Sequence, residues 1–182
     1  MLALVVAFIS TPLFAADEIP SVNPCHAGGN SAVRPRSAIV IAAIEFGIKR
    51  SPTLADEFDQ LQRSDIVAYV EAARVAYSGV AGYVTFVSKT TMCRYVHITL
   101  TPHLNLSQMA ALLGHELQHV LEIAAHPEVV DAESLSEMYE RVGRHSHHER
   151  SYESAEAIEA GLRVQNELFG VSVKSSPAET ER

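Results

Sequence analysis

The period of the hydrophobic pattern changes twice along this chain, and this change constrains its fold more than any other feature. Apolar residues recur at helical spacing from Ser37 to about Arg50, and Ser51-Pro52 is typical of the start of a second helix. Between Asp65 and Thr101 the period becomes two, as in β-strands. Beyond Thr101 the pattern is helical again. The order of helices, then strands, then helices predicts an α+β fold.

The middle of the chain is expected to form a small sheet. Three segments rich in β-branched and aromatic residues are predicted strands, at 66–70, 83–87 and 95–100. The connection from Ser88 to Cys93 is short enough for a hairpin, so an antiparallel three-stranded sheet is the simplest topology.

Three more helices are predicted after the strands. They run from Ser107, as the N-cap, to about Ala125, from about Val129 to Val142, and from about Tyr152 to Phe169.

The length of 182 residues favours a single domain. Residues 1–16 are predicted to be a secretory signal, because an uncharged apolar run ends at small residues before Asp17. A membrane anchor is the alternative, but the run is shorter than the roughly 20 residues of a spanning helix. Residues 17–36 are expected to form an extended arm, 37–171 the domain and 172–182 a flexible tail.

Charge and cysteine content narrow the possible partners and the compartment. Fourteen basic residues against 22 acidic ones give a net charge of −8, so no basic field is available to attract nucleic acid. After export the two cysteines, Cys25 and Cys93, would meet an oxidising compartment, where an even count favours one disulfide. The expected location is therefore secreted or periplasmic.

The first predicted helix after the strands contains the motif HExxH, at residues 115–119. Because helix positions i and i+4 lie on one face, His115 and His119 can converge on one metal ion. Glu116 follows His115 by one residue and therefore lies to one side of the two histidines on the helix surface. From there its carboxylate can take a proton from a zinc-activated water without ligating the metal. Ordinary core histidines are the alternative interpretation.

A catalytic zinc needs a third protein ligand, and the last helix offers candidates. Glu153 shares a helical stripe with apolar residues, whereas Glu156 aligns with charged ones, so Glu153 is the preferred ligand and Glu156 the alternative. Glu122 is too far along the helix axis for direct ligation and is expected to support the ligands or to face solvent.

Several further residues have open roles. The histidines of the loop at 145–148 are interpreted first as part of an exposed, charge-rich connector. Alternatively, one of them or one of two tyrosines could stabilise an oxyanion, and the sequence does not choose among them. These candidates are His145, His147, His148, Tyr139 and Tyr152. His97 and His103 are interpreted as structural.

Residues 112–122 (LLGHELQHVLE) and Tyr152-Glu153-Ser154 resemble segments of the zincin metallopeptidases, particularly of the gluzincin class, and of small exported bacterial proteins of zincin type. The resemblance implies a zincin-like domain with His115, His119 and Glu153 as zinc ligands and Glu116 as general base and acid. It departs at Ala157, where well-known gluzincins have an acidic residue four places after the ligand glutamate.

These features predict an exported zinc-dependent hydrolase, most simply a metallopeptidase acting on a peptide or protein, with no membrane span after signal cleavage. A secreted, non-catalytic metal-binding or structural domain is the main alternative. A metal-free binding module with core histidines is the third possibility.

Overall fold

The computed structural model describes residues 23–75, 80–142, 144–145 and 152–170. The predicted signal (1–16), the tail (172–182), His147, His148 and the side chains of His145 and Tyr152 lie outside this description. The elements of the described part are a 3-10 helix η1 (Pro24–Gly29), β1 (Val33–Pro35), α1 (Ala38–Ile48), α2 (Pro52–Arg63), β2 (Ile66–Ala72), β3 (Gly82–Lys89), β4 (Arg94–Leu100), α3 (Leu106–Ala125), α4 (Ala132–Val142), β5 (Arg144–His145), β6 (Tyr152–Glu153) and α5 (Ala155–Leu168). The fold is α+β, as predicted.

Local side-chain chemistry sets where the helices begin. Ser51 caps α2 as predicted, because its Oγ accepts a hydrogen bond from the Leu54 amide at 3.0 Å. The predicted cap of α3 was wrong: Asn105, not Ser107, precedes the helix. Asn105 and Gln108 each accept a hydrogen bond from the other's backbone amide, at 3.0 and 3.1 Å. This reciprocal capping box satisfies two amide groups, which a Ser107 start would not explain.

The sheet is four-stranded and mixed, so the predicted three-stranded antiparallel sheet is not confirmed. Its strand order is β1-β2-β4-β3, with β1–β2 and β2–β4 parallel and β3–β4 antiparallel. The β3–β4 hairpin was therefore predicted correctly. Within the arm predicted to be extended (17–36), Pro24–Gly29 form the 3-10 helix η1 instead, and Val33–Pro35 are extended and form the edge strand β1.

Burial explains why β2 does not pair with β3. Residues Ile66 to Ala68 of β2 and also Val70 are almost fully buried, whereas only Gly82 of β3 is buried and half of its residues are exposed. A strand with both faces covered belongs in the interior of a sheet, and its nearly continuous apolar sequence is typical of parallel strands. A partly polar strand such as β3 suits an edge.

Helix α3 lies at the centre of the hydrophobic core. It packs on the sheet and is surrounded by α1, α2 and α5. The inward positions of the sheet and of α3 are fully buried apolar residues: Ile66, Val70, Val96, Ile98, Leu100, Met109, Leu113, Leu117, Val120 and Ile123. Among the helices described, none has a stretch long and apolar enough to cross a membrane.

A buried guanidinium fastens the end of α3 to the sheet. Arg94, the first residue of β4, is 2% exposed and donates to both carboxylate oxygens of Asp65, at 2.7 and 2.8 Å. It also donates to the backbone carbonyls of Ile123, Ala124, His126 and Val129, at 2.7 to 3.3 Å. A positive charge at this position supplies donors to carbonyls at the end of the helix and just beyond it, and complements the negative end of the helix dipole.

The predicted disulfide is confirmed. Cys25 of η1 and Cys93, the residue before Arg94, are bonded, with their Cα atoms 5.5 Å apart. Closing a loop of 68 residues restricts the unfolded chain, which stabilises a fold by about 2 to 4 kcal/mol in typical cases. The disulfide therefore ties the N-terminal arm to the point where β4 begins.

Replacing Arg94 by methionine should destabilise the protein strongly, because the α3 carbonyls and Asp65 lose their donor inside the fold. We expect a loss of about 3 kcal/mol or more in the free energy of unfolding, measured by urea denaturation. Arg141→Met is the matched control, since Arg141 is exposed and forms a surface ion pair with Glu128; its loss should be below about 1 kcal/mol. Equal losses in the two variants would contradict the role assigned to Arg94.

Candidate metal centre

Three side chains from two parts of the chain converge beside α3. His115, His119 and Glu153 each offer one ligand atom, and these atoms lie within 4.8 Å of one another. Nε2 of His115 is 3.4 Å from a carboxylate oxygen of Glu153, and the two imidazole rings are 4.9 Å apart. The one-turn spacing of the histidines therefore brings both rings to the same place, as the helical geometry predicts.

Glu153 reaches this group from outside the last helix. The sequence predicted a helix from Tyr152, but α5 begins at Ala155 with Ser154 as its N-cap, and Glu153 ends the two-residue strand β6. The helical-stripe argument for Glu153 was therefore wrong, since Glu153 is not helical. Glu156, which is in the first turn of α5 and exposed, does not belong to the group.

A glycine allows α5 to pack closely against the HExxH segment. A Cβ atom at Gly161 would lie 3.0 Å from Cβ of His115 and 3.5 Å from the carbonyl oxygen of Ala111. The first of these contacts is tighter than ordinary van der Waals distances, so a larger residue would push the two helices apart. Close packing here brings the start of α5, and with it Glu153, next to His115.

The second histidine is oriented by a carboxylate. Nδ1 of His119 is 2.9 Å from Oε2 of Glu122, which also accepts a hydrogen bond from the hydroxyl of Tyr139 at 3.3 Å. Ser154 donates to the other oxygen of Glu122 at 2.5 Å. Burial alone would raise the pKa of Glu122, but these hydrogen bonds outweigh it and hold the pKa below its ordinary value. Glu122 is therefore ionised and acts as an acceptor only.

This orientation fixes the tautomer of His119. Because an ionised carboxylate cannot donate, Nδ1 of His119 carries the proton and Nε2 keeps a lone pair for a cation. Of the two interpretations offered by the sequence, support of the ligands rather than exposure to solvent describes Glu122. Tyr139, which is 7% exposed, lies 3.1 Å from the same Nδ1 and thus on the far side of the ring from Nε2.

Glu116 is buried beside the two histidines and has a different environment. Its side chain is 3% exposed. Burial raises the pKa of Glu116 to about 7; electrostatic interaction with the two imidazoles, His119 and His115, opposes this effect, and Glu153 adds to it. A carboxyl group with a pKa near neutrality can both accept and return a proton at neutral pH, which a surface glutamate cannot do well.

The edge strand of the sheet touches Glu116 at a glycine. A Cβ atom at Gly82, the first residue of β3, would lie 2.5 Å from Oε1 of Glu116. No L-residue with a side chain fits at Gly82 while Glu116 keeps this position. The absence of a side chain at Gly82 therefore allows the carboxyl of Glu116 to lie against the backbone of β3. The sequence analysis did not identify this glycine.

Electrostatics link His115 and Glu153. Burial opposes protonation of His115, but its hydrogen bond to Glu153 and the charges of Glu116 and Glu153 raise its pKa above the ordinary value. Burial likewise raises the pKa of Glu153, but His115 and His119 overcome this and lower it. The site thus concentrates negative charge around two imidazoles, as a cation would require.

Two further histidines singled out in the sequence, His97 and His103, lie away from this group. His97 on β4 lies 3.4 Å from Glu71 and 3.4 Å from the hydroxyl of Thr99. His103 is exposed in the turn after β4. The structure does not bring either residue to the centre.

The ligand atoms of this group suit a divalent cation. Two imidazole nitrogens and a carboxylate oxygen form the ligand set of many catalytic zinc sites, which keep a fourth position open. His115 and Glu153 are partly exposed, so the group is accessible from solvent, while Glu122 supports His119 as outer-shell carboxylates do. His115, His119 and Glu153 could therefore hold a metal ion.

Glu153→Ala should weaken zinc binding more than Glu122→Gln, because the first removes a ligand and the second only the partner of His119. Loss of an outer-shell partner typically costs about 10- to 100-fold in metal affinity, and the ligand variant should exceed that. Competition with a chromophoric chelator measures both. Glu156→Ala is the matched control and should bind as the parent chain does. If Glu156→Ala loses zinc while Glu153→Ala keeps it, the assignment of Glu153 is wrong.

Comparison of the chain with protein-family models, with curated proteins and with solved structures gives no match. The functional assignment therefore rests on the structure: the group of His115, His119 and Glu153, with Glu116 buried beside it.

Proposed function

We propose that the protein is an exported, zinc-dependent hydrolase of zincin type, and most specifically a metallopeptidase. The observation that carries the proposal is the convergence of two imidazoles and one carboxylate, with a second, buried carboxyl beside them. Zinc is the metal that best suits a site of mixed nitrogen and oxygen ligands with an open position. When bound, it supplies a Lewis acid that lowers the pKa of a coordinated water and polarises a carbonyl.

Glu116 moves the proton in this proposal. Its buried carboxyl takes a proton from the attacking water and later gives it to the leaving nitrogen of the peptide. The environment of Glu116 is dominated by burial beside the two histidines, in contrast to Glu122, whose oxygens accept hydrogen bonds from Ser154 and Tyr139. The contrast assigns proton transfer to Glu116 and ligand support to Glu122.

The edge strand β3 gives a peptide substrate a place to bind. It is the last strand in the order β1-β2-β4-β3, so its outer edge has no neighbouring strand in the described part of the chain. An extended peptide can add to such an edge through backbone hydrogen bonds. Because β3 begins at Gly82, against Glu116, a peptide on this edge would pass close to the reacting groups.

Two features support export. The leader-like sequence at residues 1–16 predicts secretion, and the disulfide between Cys25 and Cys93 is of a kind that persists in an oxidising compartment. The proposed place of action is therefore periplasmic or extracellular.

Glu116→Gln separates an active peptidase from a non-catalytic metal-binding domain. The variant should retain zinc, because Glu116 is not a ligand, and should lose at least about 100-fold in cleavage of a mixed peptide library followed by mass spectrometry. Glu45→Gln, an exposed change on α1, is the control and should cleave normally. Equal cleavage by the parent and Glu116→Gln forms, or zinc binding without any cleavage by the parent, would defeat the enzymatic proposal.

Gly82→Ala should also lower activity while leaving zinc in place. The added methyl group would meet Oε1 of Glu116 at 2.5 Å, so the carboxyl must move. Misplacement of a catalytic group by about 1 Å can cost roughly 100-fold in rate, and we expect a loss of about 10-fold or more in kcat. Ala81→Ser, at the exposed neighbouring position, is the control. Unchanged kcat in Gly82→Ala would show that the contact has no catalytic consequence.

A further inference from the structure

Two serines of this chain have the same local arrangement at the start of a helix. Ser51 is the N-cap of α2 and Ser154 is the N-cap of α5, and each accepts a hydrogen bond at 3.0 Å from the backbone amide three residues further on. Each also donates at 2.5 Å to a glutamate on another helix, Ser51 to Glu167 and Ser154 to Glu122. Both serines are buried, with exposures of 0% and 4%.

The two serines differ in what their glutamates hold. Glu167, near the end of α5, also accepts from the amide and the hydroxyl of Thr53, at 3.1 and 2.8 Å. Glu122, on α3, instead accepts at its second oxygen from Nδ1 of His119, at 2.9 Å. Ser51 thus fastens one helix to another, whereas Ser154 is connected through Glu122 to a residue of the metal centre.

The neighbours of the Ser154 hydroxyl determine where its single proton goes. The amide of Ala157 is a donor and uses a lone pair of the hydroxyl oxygen, so the proton is available for Oε1 of Glu122. His119 and Tyr139 contact the other oxygen, Oε2. The carboxylate is therefore held from both ends, and it cannot turn without breaking one set of bonds.

The orientation of Glu122 matters because its Oε2 keeps the proton of His119 on Nδ1. An imidazole in the other tautomer would present an N–H group to the cation instead of a lone pair. His119 is only 5% exposed, so solvent has little access to take the place of the carboxylate. A change that frees Glu122 is expected to reach the metal through this ring.

We propose that Ser154 is a positioning residue of the metal centre, whose hydroxyl holds Glu122 so that Nε2 of His119 faces the cation. This role is distinct from capping α5, because the two roles use different parts of the hydroxyl, its proton and a lone pair. The inference rests on the metal centre of the proposed function, but it does not require peptidase activity.

Ser154→Gly separates the two roles, since glycine is a tolerable N-cap but has no hydroxyl to donate. Ser51→Gly is the matched control, because it loses the same pair of hydrogen bonds at a glutamate that holds Thr53 instead of a histidine. Urea denaturation should show similar downward shifts of the midpoint in both variants. A role in the metal centre should appear in Ser154→Gly alone.

Zinc affinity, measured by competition with a chromophoric chelator, is the first readout. We expect a loss of about 10-fold in Ser154→Gly, at the lower end of the losses typical of outer-shell partners, because Ser154 acts through Glu122. Ser51→Gly should bind zinc as the parent chain does. Equal affinity in the parent and Ser154→Gly forms, or equal losses in the two variants, would overturn the proposal.

The tautomer of His119 is the second readout and needs no metal. In ¹⁵N NMR of the zinc-free chain under mildly alkaline conditions, protonated and unprotonated ring nitrogens give well-separated signals. The parent and Ser51→Gly forms should carry the proton on Nδ1, and Ser154→Gly should show an added population protonated on Nε2. The same tautomer in all three forms would contradict the positioning role.

Ser154→Thr is the rescue variant, since threonine keeps both the hydroxyl and the ability to cap a helix. It should bind zinc as the parent chain does and show the parent tautomer. If the folded Ser154→Thr form binds as weakly as Ser154→Gly, the hydroxyl is not responsible and the proposal fails.

The parent chain distinguishes failure of this inference from failure of the proposed function. A parent that binds no zinc would overturn the metal centre and the role of Ser154 with it. Zinc binding that is equally tight in Ser154→Gly would overturn the role of Ser154 alone. Weaker zinc binding by Ser154→Gly, in a chain whose parent cleaves no peptide, would support the positioning role and contradict the metallopeptidase.

Discussion

The guanidinium of Arg94 is the interaction on which the rest of the structure depends. Helix α3 carries both histidines, Glu116 and Glu122, and the position of its C-terminal end is set by one buried side chain that joins β4, Asp65 and four backbone carbonyls. Because the disulfide ends at Cys93, a covalent bond and a network of charged hydrogen bonds meet at adjacent residues. The long apolar helix could slide or rotate in an apolar core, since hydrophobic contacts have little directional preference. Directional bonds at its end prevent this.

Three glutamates around α3 show how surroundings separate chemically identical side chains. Glu122 accepts from His119, Ser154 and Tyr139, and its pKa falls. Glu116 is buried with its carboxyl against a glycine, and its pKa rises to about 7. Glu57 is packed on the other side of the helix, where its carboxyl oxygens have no hydrogen-bond partner among the described residues, and its pKa rises further, to about 9. The supply of hydrogen-bond donors, rather than depth alone, decides which of these groups holds a proton near neutral pH.

Local patterns in the sequence were sufficient for the features that depend on spacing along one element. The convergence of His115 and His119 follows from helical geometry, and the cap at Ser51 from its neighbours. Features that depend on distant contacts were missed. The parallel pairing of β2 requires knowledge of what covers both of its faces, and the strand at Val33–Pro35 is too short to show a period. Glu153 was chosen for an incorrect reason, because Ser154 stops the helical pattern before it reaches that residue.

Glu153 and Ser154 are adjacent but serve opposite sides of the same centre. The carboxylate faces His115, while the hydroxyl both accepts from the amide of Ala157 at the start of α5 and donates to Glu122, the partner of His119. One peptide unit thus connects both imidazoles with the first turn of a helix. The docking of α5 and the assembly of the centre are consequently a single cooperative event, and fraying at that helix end would disturb both imidazoles at once.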